Sequence, residues 1–476
     1  MDGVGAFLRK VDFQMKDFRG MEPRAVSKLY DEANLPARIR RSLNFMLLAN
    51  IMGNVHLIIC GGNTTAMIGL TTTLGANDMV FGILAAIPQA AALLQLPVSV
   101  LINRTHKRKK YMLTIGTFSR ALWLLFGLIP YIIPMASPTL QLWTIVFLLG
   151  ISACCGSVIN VSWLPWLSDL APIQIRGRWL SIRESVVAVA NVIIGLLVAY
   201  ILEALPADRR YAIIFLIGGA FGVLDMVCFA FCDDVYSAPP QKQSLFKAFG
   251  AVFQNKPFMR VVVMWTVWCF TANMCTVYLN PYSMNEMGLS FMQIMIFSTI
   301  TSAVVMVFAM PRWGRMIDRL GCRNVMLVCC TVASLTPMFY LFASPGNIWP
   351  TLLHNGIGAM FWCGANLASY NTQLLYSPDE TRPTHIAVFS CVTALLGTTA
   401  GSMTGGFLLE TWNSAGMFTG GFDRYQALCV LSSVLRLSLT LMLVLRLKPD
   451  KASTPKDLLE AMLVPVVSAF HRKKIS

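Results

Sequence analysis

The chain has 476 residues, 56% of them apolar and 13% charged, with a mean hydropathy of +0.61 and a formal net charge of +15. Soluble domains carry about a quarter charged residues, so the composition excludes a soluble globular protein and predicts an integral membrane protein. The basic residues lie between apolar runs and at the two ends, a pattern that fits lipid headgroups and the positive-inside rule rather than nucleic acid.

Residues 1–42 are mixed and charged, so no cleavable leader is expected, and this segment reads as cytosolic. Phe7, Leu8, Val11, Met15 and Phe18 form an apolar stripe at helical spacing that fits either the membrane surface or an ordinary amphipathic lead-in. Twelve apolar runs follow, each of about 20 residues or more, the length a helix needs to span a bilayer. They cover about 43–66, 79–102, 111–134, 141–165, 180–203 and 211–232, then 260–282, 290–312, 325–343, 348–374, 384–409 and 425–446. The predicted fold class is therefore an all-α membrane protein of twelve transmembrane helices.

The even-numbered loops hold Arg104, Lys107, Arg108, Lys109 and Lys110, then Arg176 and Arg178, Lys242, Lys247 and Lys256, Arg315, Arg319 and Arg323, and Arg382. The odd loops hold only Arg209, Arg210 and Arg424. That asymmetry predicts both termini in the cytosol of a cell membrane. The long polar break at 233–259, with Pro239 and Pro240, separates a bundle at 43–232 from one at 260–446, ahead of a cytosolic tail at 447–476. A repeat supports the division: Asn160, Pro172 and Arg176 recur in register as Asn366, Pro378 and Arg382.

Between runs eight and nine stands Gly314-Arg315-Met316-Ile317-Asp318-Arg319-Leu320-Gly321-Cys322-Arg323, which reads as a short aqueous loop because its charges are ruinous in hydrocarbon. Its pattern, Gly-x-x-x-Asp-Arg-x-Gly-x-Arg, resembles the signature loop of the major facilitator superfamily of secondary transporters. A second copy follows run two, from Ser99 through Asn103, Arg104 and His106 to Arg108, with Asn103 in place of the acid. The segment from Trp163 through Asp169 and Pro172 to Arg176 and Arg178 resembles the loop after span four in bacterial members. The resemblance covers about residues 43–446. It implies two pseudo-symmetric six-helix halves and an alternating-access site at the midplane. It also assigns gating positions to Asn103, Arg104, Gly314, Asp318, Arg319, Gly321 and Arg323, with Asp169 and Arg176. Either of Arg176 and Arg178 could pair Asp169. Runs four and five lack the arginine and the Gly-Pro pair of drug–proton antiporters, which counts against multidrug efflux.

Polar groups inside the spans are costly and are read as functional or paired. His56 falls about 13 residues into run one, near the expected midplane, with Asn50 and Asn54 nearby. Imidazole can bond a substrate or carry a proton; the alternative is a histidine bonded to a neighbouring helix carbonyl. Asn273 lies equally deep in run seven beside Trp265 and Trp268, while Asn355, Trp362 and Asn366 share one face of run ten. Tryptophan faces with amide donors suit sugars and similar molecules, and packing is the competing reading. Arg120 and Asp225 are expected to form a structural ion pair, and Arg436 has no evident partner. The thirteen cysteines show no metal spacing or disulfide framework, and the five histidines are scattered. Neither an enzyme nor a metal or organic cofactor is expected. The functional expectation is a monomeric secondary transporter of a small polar solute, with protons as a possible coupling partner. A drug or metabolite efflux carrier and a non-transporting membrane sensor are the alternatives.

Overall fold

The computed structural model describes residues 30–31, 34–105, 107–133, 137–171, 173–206, 209–234, 250, 252–378, 382–418 and 422–448. The stripe at Phe7–Phe18, His106, Pro172, the centre of the linker and the tail lie outside these residues, as do the side chains of Asn103, Arg176 and Glu184. Among the described residues every regular element is a helix. Twelve long helices follow the order of the twelve apolar runs. We number them α1 (Ala37–Ile59), α2 (78–105), α3 (108–132), α4 (Pro138–Leu170), α5 (Ile173–Ala204) and α6 (Arg210–Ala230). The second set is α7 (Lys256–Asn285), α8 (291–320), α9 (322–342), α10 (Trp349–Tyr376), α11 (382–414) and α12 (Arg424–Leu445). Among the described residues, nine helices are long and apolar enough to cross a membrane by length and composition.

Two boundaries differ from expectation. The first run breaks at Cys60-Gly61-Gly62, and a separate short helix, Thr65–Thr73, begins after Thr64 caps it by accepting from the Met67 N–H. Paired glycines disfavour helix, and Thr64 offers the new helix a cap. His56 therefore stands three residues from the end of α1 rather than at its middle. The signature stretch is likewise helix rather than loop. Residues 314–320 form the last turns of α8, with Trp313 and Ile317 buried and Arg315, Asp318 and Arg319 exposed. An amphipathic helix end keeps its backbone bonds while its charges reach water. Gly321 alone turns the chain, at φ 86°, where a side chain would be strained.

Helices α1–α6 pack mainly on one another, as do α7–α12. Within the first group α6 lies between α1 and α3, and α5 lies on α1; within the second α10 packs on α8 and α9, and α12 on α7 and α9. The two groups meet chiefly through α2 against α11 and α5 against α8. These contacts gather at the end of the molecule opposite the chain termini, here termed the far face. Helix α1 is fixed at the terminal face by Tyr30, whose hydroxyl donates to Asn44 Oδ1 at 3.1 Å and accepts from Trp179 Nε1 at 3.3 Å. Burial pushes that phenol up to about 12, so it stays protonated as a donor.

Corresponding residues close both groups at the terminal face. Arg323, at the start of α9, donates to the Val444 and Leu445 carbonyls at the end of α12. Its counterpart Arg108, at the start of α3, pairs with Asp234 just beyond α6 at 3.0 Å, and Lys109 donates to the Cys232 carbonyl. Cations there satisfy open carbonyls and oppose the negative helix end.

Candidate functional site

The polar residues of α1 divide between two faces. Gly53, His56 and Cys60, spaced by three and four, point at α6. A side chain on Gly53 would come within 2.8 Å of Asp225 Oδ2, and one on Gly222 within 2.5 Å of His56 Nδ1. His56 is 2% exposed, bonds the Gly218 carbonyl through Nδ1 at 2.9 Å, and meets Trp123 edge-on. Beside it Arg120 of α3 lies 3.2 Å from Asp225 of α6. His56 thus belongs to the internal packing of the first group and is not paired with Asn273, a correction to the sequence expectation. The physical reason is helical phase: only glycines on α6 leave room for an imidazole.

The other face of α1 carries Asn50 and Asn54, both half-buried and one turn apart. Asn54 donates to Asn191 of α5. Asn50 accepts from Nε of Arg183 at 3.0 Å, and the Arg183 guanidinium stands 4.6 Å from the ring of Trp163 on α4. Sequence reading missed Arg183 and Asn191 as a site. Its only signal is a cation and an amide inside run five.

In the second group Asn273 is half-buried and donates to the Cys269 carbonyl of its own helix at 2.8 Å. With Thr276 and Asn280 it forms the less buried polar face of α7. Trp265 and Trp268 are 6% and 0% exposed, and the Trp268 ring lies tilted against that of Trp362, with centroids 5.3 Å apart. These two tryptophans are core residues, correcting their expected contact with solute. Asn355 is half-buried and donates to the Thr351 carbonyl, and Asn366 is exposed. Arg436 is buried over Trp268 and donates to the Ala333 and Ala272 carbonyls at 3.3 Å and to Ser432 Oγ at 3.1 Å. The Ala333 carbonyl would normally accept from residue 337, which is Pro337 and has no N–H. Arg436 supplies a missing donor.

The gating positions also sort by structure. Asp169 pairs with Arg108 at 2.6 Å. Arg104 is exposed, and Arg323 caps α12 as described above. At the far face the groups are joined by residues that no motif marks. Tyr425 of α12 donates to Asp78 of α2 at 2.6 Å, and Arg424 lies 3.6 Å from the same carboxylate. Thr399 Oγ1 donates to the Ala86 carbonyl, and the Met292 N–H of α8 donates to Glu203 of α5.

The model described as Major Facilitator Superfamily matches residues 49–375 and 305–475. The chain belongs to the major facilitator superfamily. Solved structures with the same fold include the nucleoside transporter NupG, at 13% identity and TM-score 0.62, covering 85% of this chain and 100% of that one. A D-xylose–proton symporter matches at 13% identity and TM-score 0.56, over 86% and 97% of the two chains. An auto-inhibited POT family peptide transporter matches at 9% identity and TM-score 0.65, over 87% and 99%. At these identities the likeness is one of fold. No curated protein matches the chain in sequence.

Proposed function

We propose that this superfamily member moves a small polar organic solute across a cell membrane by alternating access, as a monomer with the terminal face in the cytosol. The reading is supported by one observation above all: polar strips on α1 and α5 of one group and on α7 of the other remain only half-buried, while the groups meet at the far face. Asn54 and Asn273, with Asn355 and Asn366 of α10, supply hydrogen-bonding amides on this reading, and Trp362 an apolar edge. Asp318, Arg319 and Arg104 act at the cytosolic gate with Asn103, Gly314, Gly321 and Arg176. Asp169 serves that gate by holding Arg108. Protons are the coupling ion to test, because a carboxylate and an imidazole, Asp225 and His56, lie together within the membrane beside Arg120.

Uptake of radiolabelled nucleosides, sugars, amino acids and organic acids into proteoliposomes, with and without an imposed pH gradient, tests the reading. We expect one class to accumulate above its external concentration when the gradient is present. Asn273→Ala should weaken its binding by about 5- to 150-fold, the effect of one lost hydrogen bond in a dry site. No flux of any class would sink the transport reading.

A further inference from the structure

Buried groups on α12 take hold of one turn of α7, and that turn carries the polar face of the helix. Cys429, Ser432 and Arg436 follow one another on α12 at spacings of three and four, and none is more than 2% exposed. Ser432 Oγ donates to the Thr271 carbonyl at 2.6 Å, and Cys429 Sγ lies 3.3 Å from Cys275 Sγ. The Arg436 guanidinium donates to the Ala272 carbonyl and, through its other terminal nitrogen, to the Ala333 carbonyl of α9, both at 3.3 Å. Asn273 and Thr276 lie on the more open side of the same turn, one half-buried and the other exposed. The two sides share an atom: the Ala272 oxygen that accepts from Arg436 also accepts the Thr276 hydroxyl at 2.9 Å.

Successive helical residues differ by about 100° in phase, so a slip of one residue would take Asn273 and Thr276 off the open side. Apolar contacts are non-directional and resist such a rotation weakly, whereas hydrogen bonds to particular carbonyls resist it strongly. Among the described residues the acceptors of Arg436 are all neutral. A cation held in this way inside a membrane bundle carries a desolvation cost that no opposite charge offsets, and an apolar side chain would fill the place at lower cost. We infer that Arg436 is a positioning residue for transport: with Ser432 it fixes the rotation of α7 against α9 and α12, and so aims Asn273 and Thr276 at the path of the solute. The solute contact rests on the transport reading above; the rotation of α7 does not, and the experiment separates the two.

The full chain, purified in dodecyl maltoside, is treated with a charged methanethiosulfonate, and mass spectrometry locates the labelled cysteines. Native Cys275 is 1% exposed and should stay unlabelled, while Thr276→Cys, at its exposed neighbour, should react. Arg436→Met keeps bulk over the Trp268 ring and removes the donors. It should lower the ratio of labelling at position 276 to that at Cys275 about 10-fold or more. Arg436→Lys keeps a charged donor and should restore most of the ratio. Ser432→Ala should shift the ratio in the same direction as Arg436→Met, and it keeps the test decisive should Arg436→Met fail to fold. In proteoliposomes supplied with radiolabelled uridine, xylose, alanine or malate, Arg436→Met should raise the half-saturation of the solute that the parent accumulates by about 5-fold or more. Its effect and that of Asn273→Ala should combine to less than their product.

A lower unfolding midpoint with an unchanged labelling ratio in Arg436→Met would make Arg436 a stabilising residue only and overturn the proposal. A ratio in Arg436→Lys no higher than in Arg436→Met would overturn it as well. Fully multiplicative effects of Arg436→Met and Asn273→Ala would show that the arginine does not act through Asn273. An unchanged ratio together with flux by the parent would sink the positioning role and leave the transport reading standing. A shifted ratio without flux of any solute by the parent would sink the transport reading and leave the rotation of α7 assigned to Arg436.

Discussion

Tyr425 and Asp78 are 347 residues apart in sequence, yet the tyrosine hydroxyl donates to the aspartate carboxylate at 2.6 Å and ties α12 to α2 across the two groups. Asp78 is 5% exposed and also has Arg424 at 3.6 Å. A charge-assisted bond in such a place is worth about 1.5–3 kcal/mol. It is a contact between groups rather than within one, so it stabilises only the arrangement in which the far face is closed.

Asp78→Ala should therefore shift the population away from the closed far face by about 10- to 150-fold. The reporter is a cysteine at Ala86, which is 4% exposed and whose carbonyl meets Thr399. Labelling of Ala86→Cys by an impermeant maleimide should rise in the Asp78→Ala background. Equal labelling in both backgrounds would show that the bond does not hold this face.

The α2–α11 crossing depends on glycine. A side chain on Gly406 would come within 2.9 Å of the Asp78 carbonyl oxygen, and one on Gly82 within 2.9 Å of the Ser402 carbonyl oxygen. Small residues are what let two membrane helices approach this closely. Gly406→Val should leave the protein expressed and folded but unable to close the far face. Uptake should fall while Ala86→Cys labelling rises; normal uptake would show that the crossing tolerates separation.

Arg120 and Asp225 form a pair almost entirely removed from solvent, with His56 packed beside them. Removing one partner of such a pair costs about 3–5 kcal/mol, because the other charge is left uncompensated. Arg120→Leu and Asp225→Leu should each lower the unfolding midpoint, and the double variant should be closer to the parent than either single one. A double-mutant cycle by thermal unfolding measures this directly. An additive result would mean the two charges do not support each other.

Topology is tested by accessibility. A cysteine at Ser414, at the end of α11 on the far face, should react with an impermeant reagent added outside intact cells. One at the exposed Arg319, on the terminal face, should react only after permeabilisation. The opposite pattern would invert the proposed orientation.

Much of this architecture is legible in the sequence because it depends on local patterns. Twelve apolar runs and the register of Asn160 and Asn366 give the spans and the repeat, and the glycines and charges of residues 314–323 resemble the signature motif of the superfamily. The signature stretch was nonetheless read as a loop, because charge marks exposure to water and does not say whether the backbone there is helical. The break after Cys60 was hidden by the apolar residues that continue beyond it.

The sequence by itself determined which segments are apolar enough to enter the membrane, since that depends on composition along the chain, and it carries the motif by which the chain resembles its superfamily. Only the tertiary structure decided which polar residues share a face with which helix. His56 and Asn54 are two residues apart and equally polar, yet one packs against the glycines of α6 and the other meets Asn191. Arg436 looks partnerless in the sequence because two of its three acceptors are backbone carbonyls, one opened by Pro337, and carbonyls carry no side-chain signature. The Asp78–Tyr425 bond was equally out of reach, because contacts between distant segments follow from the packing of whole helices rather than from the order of residues within them.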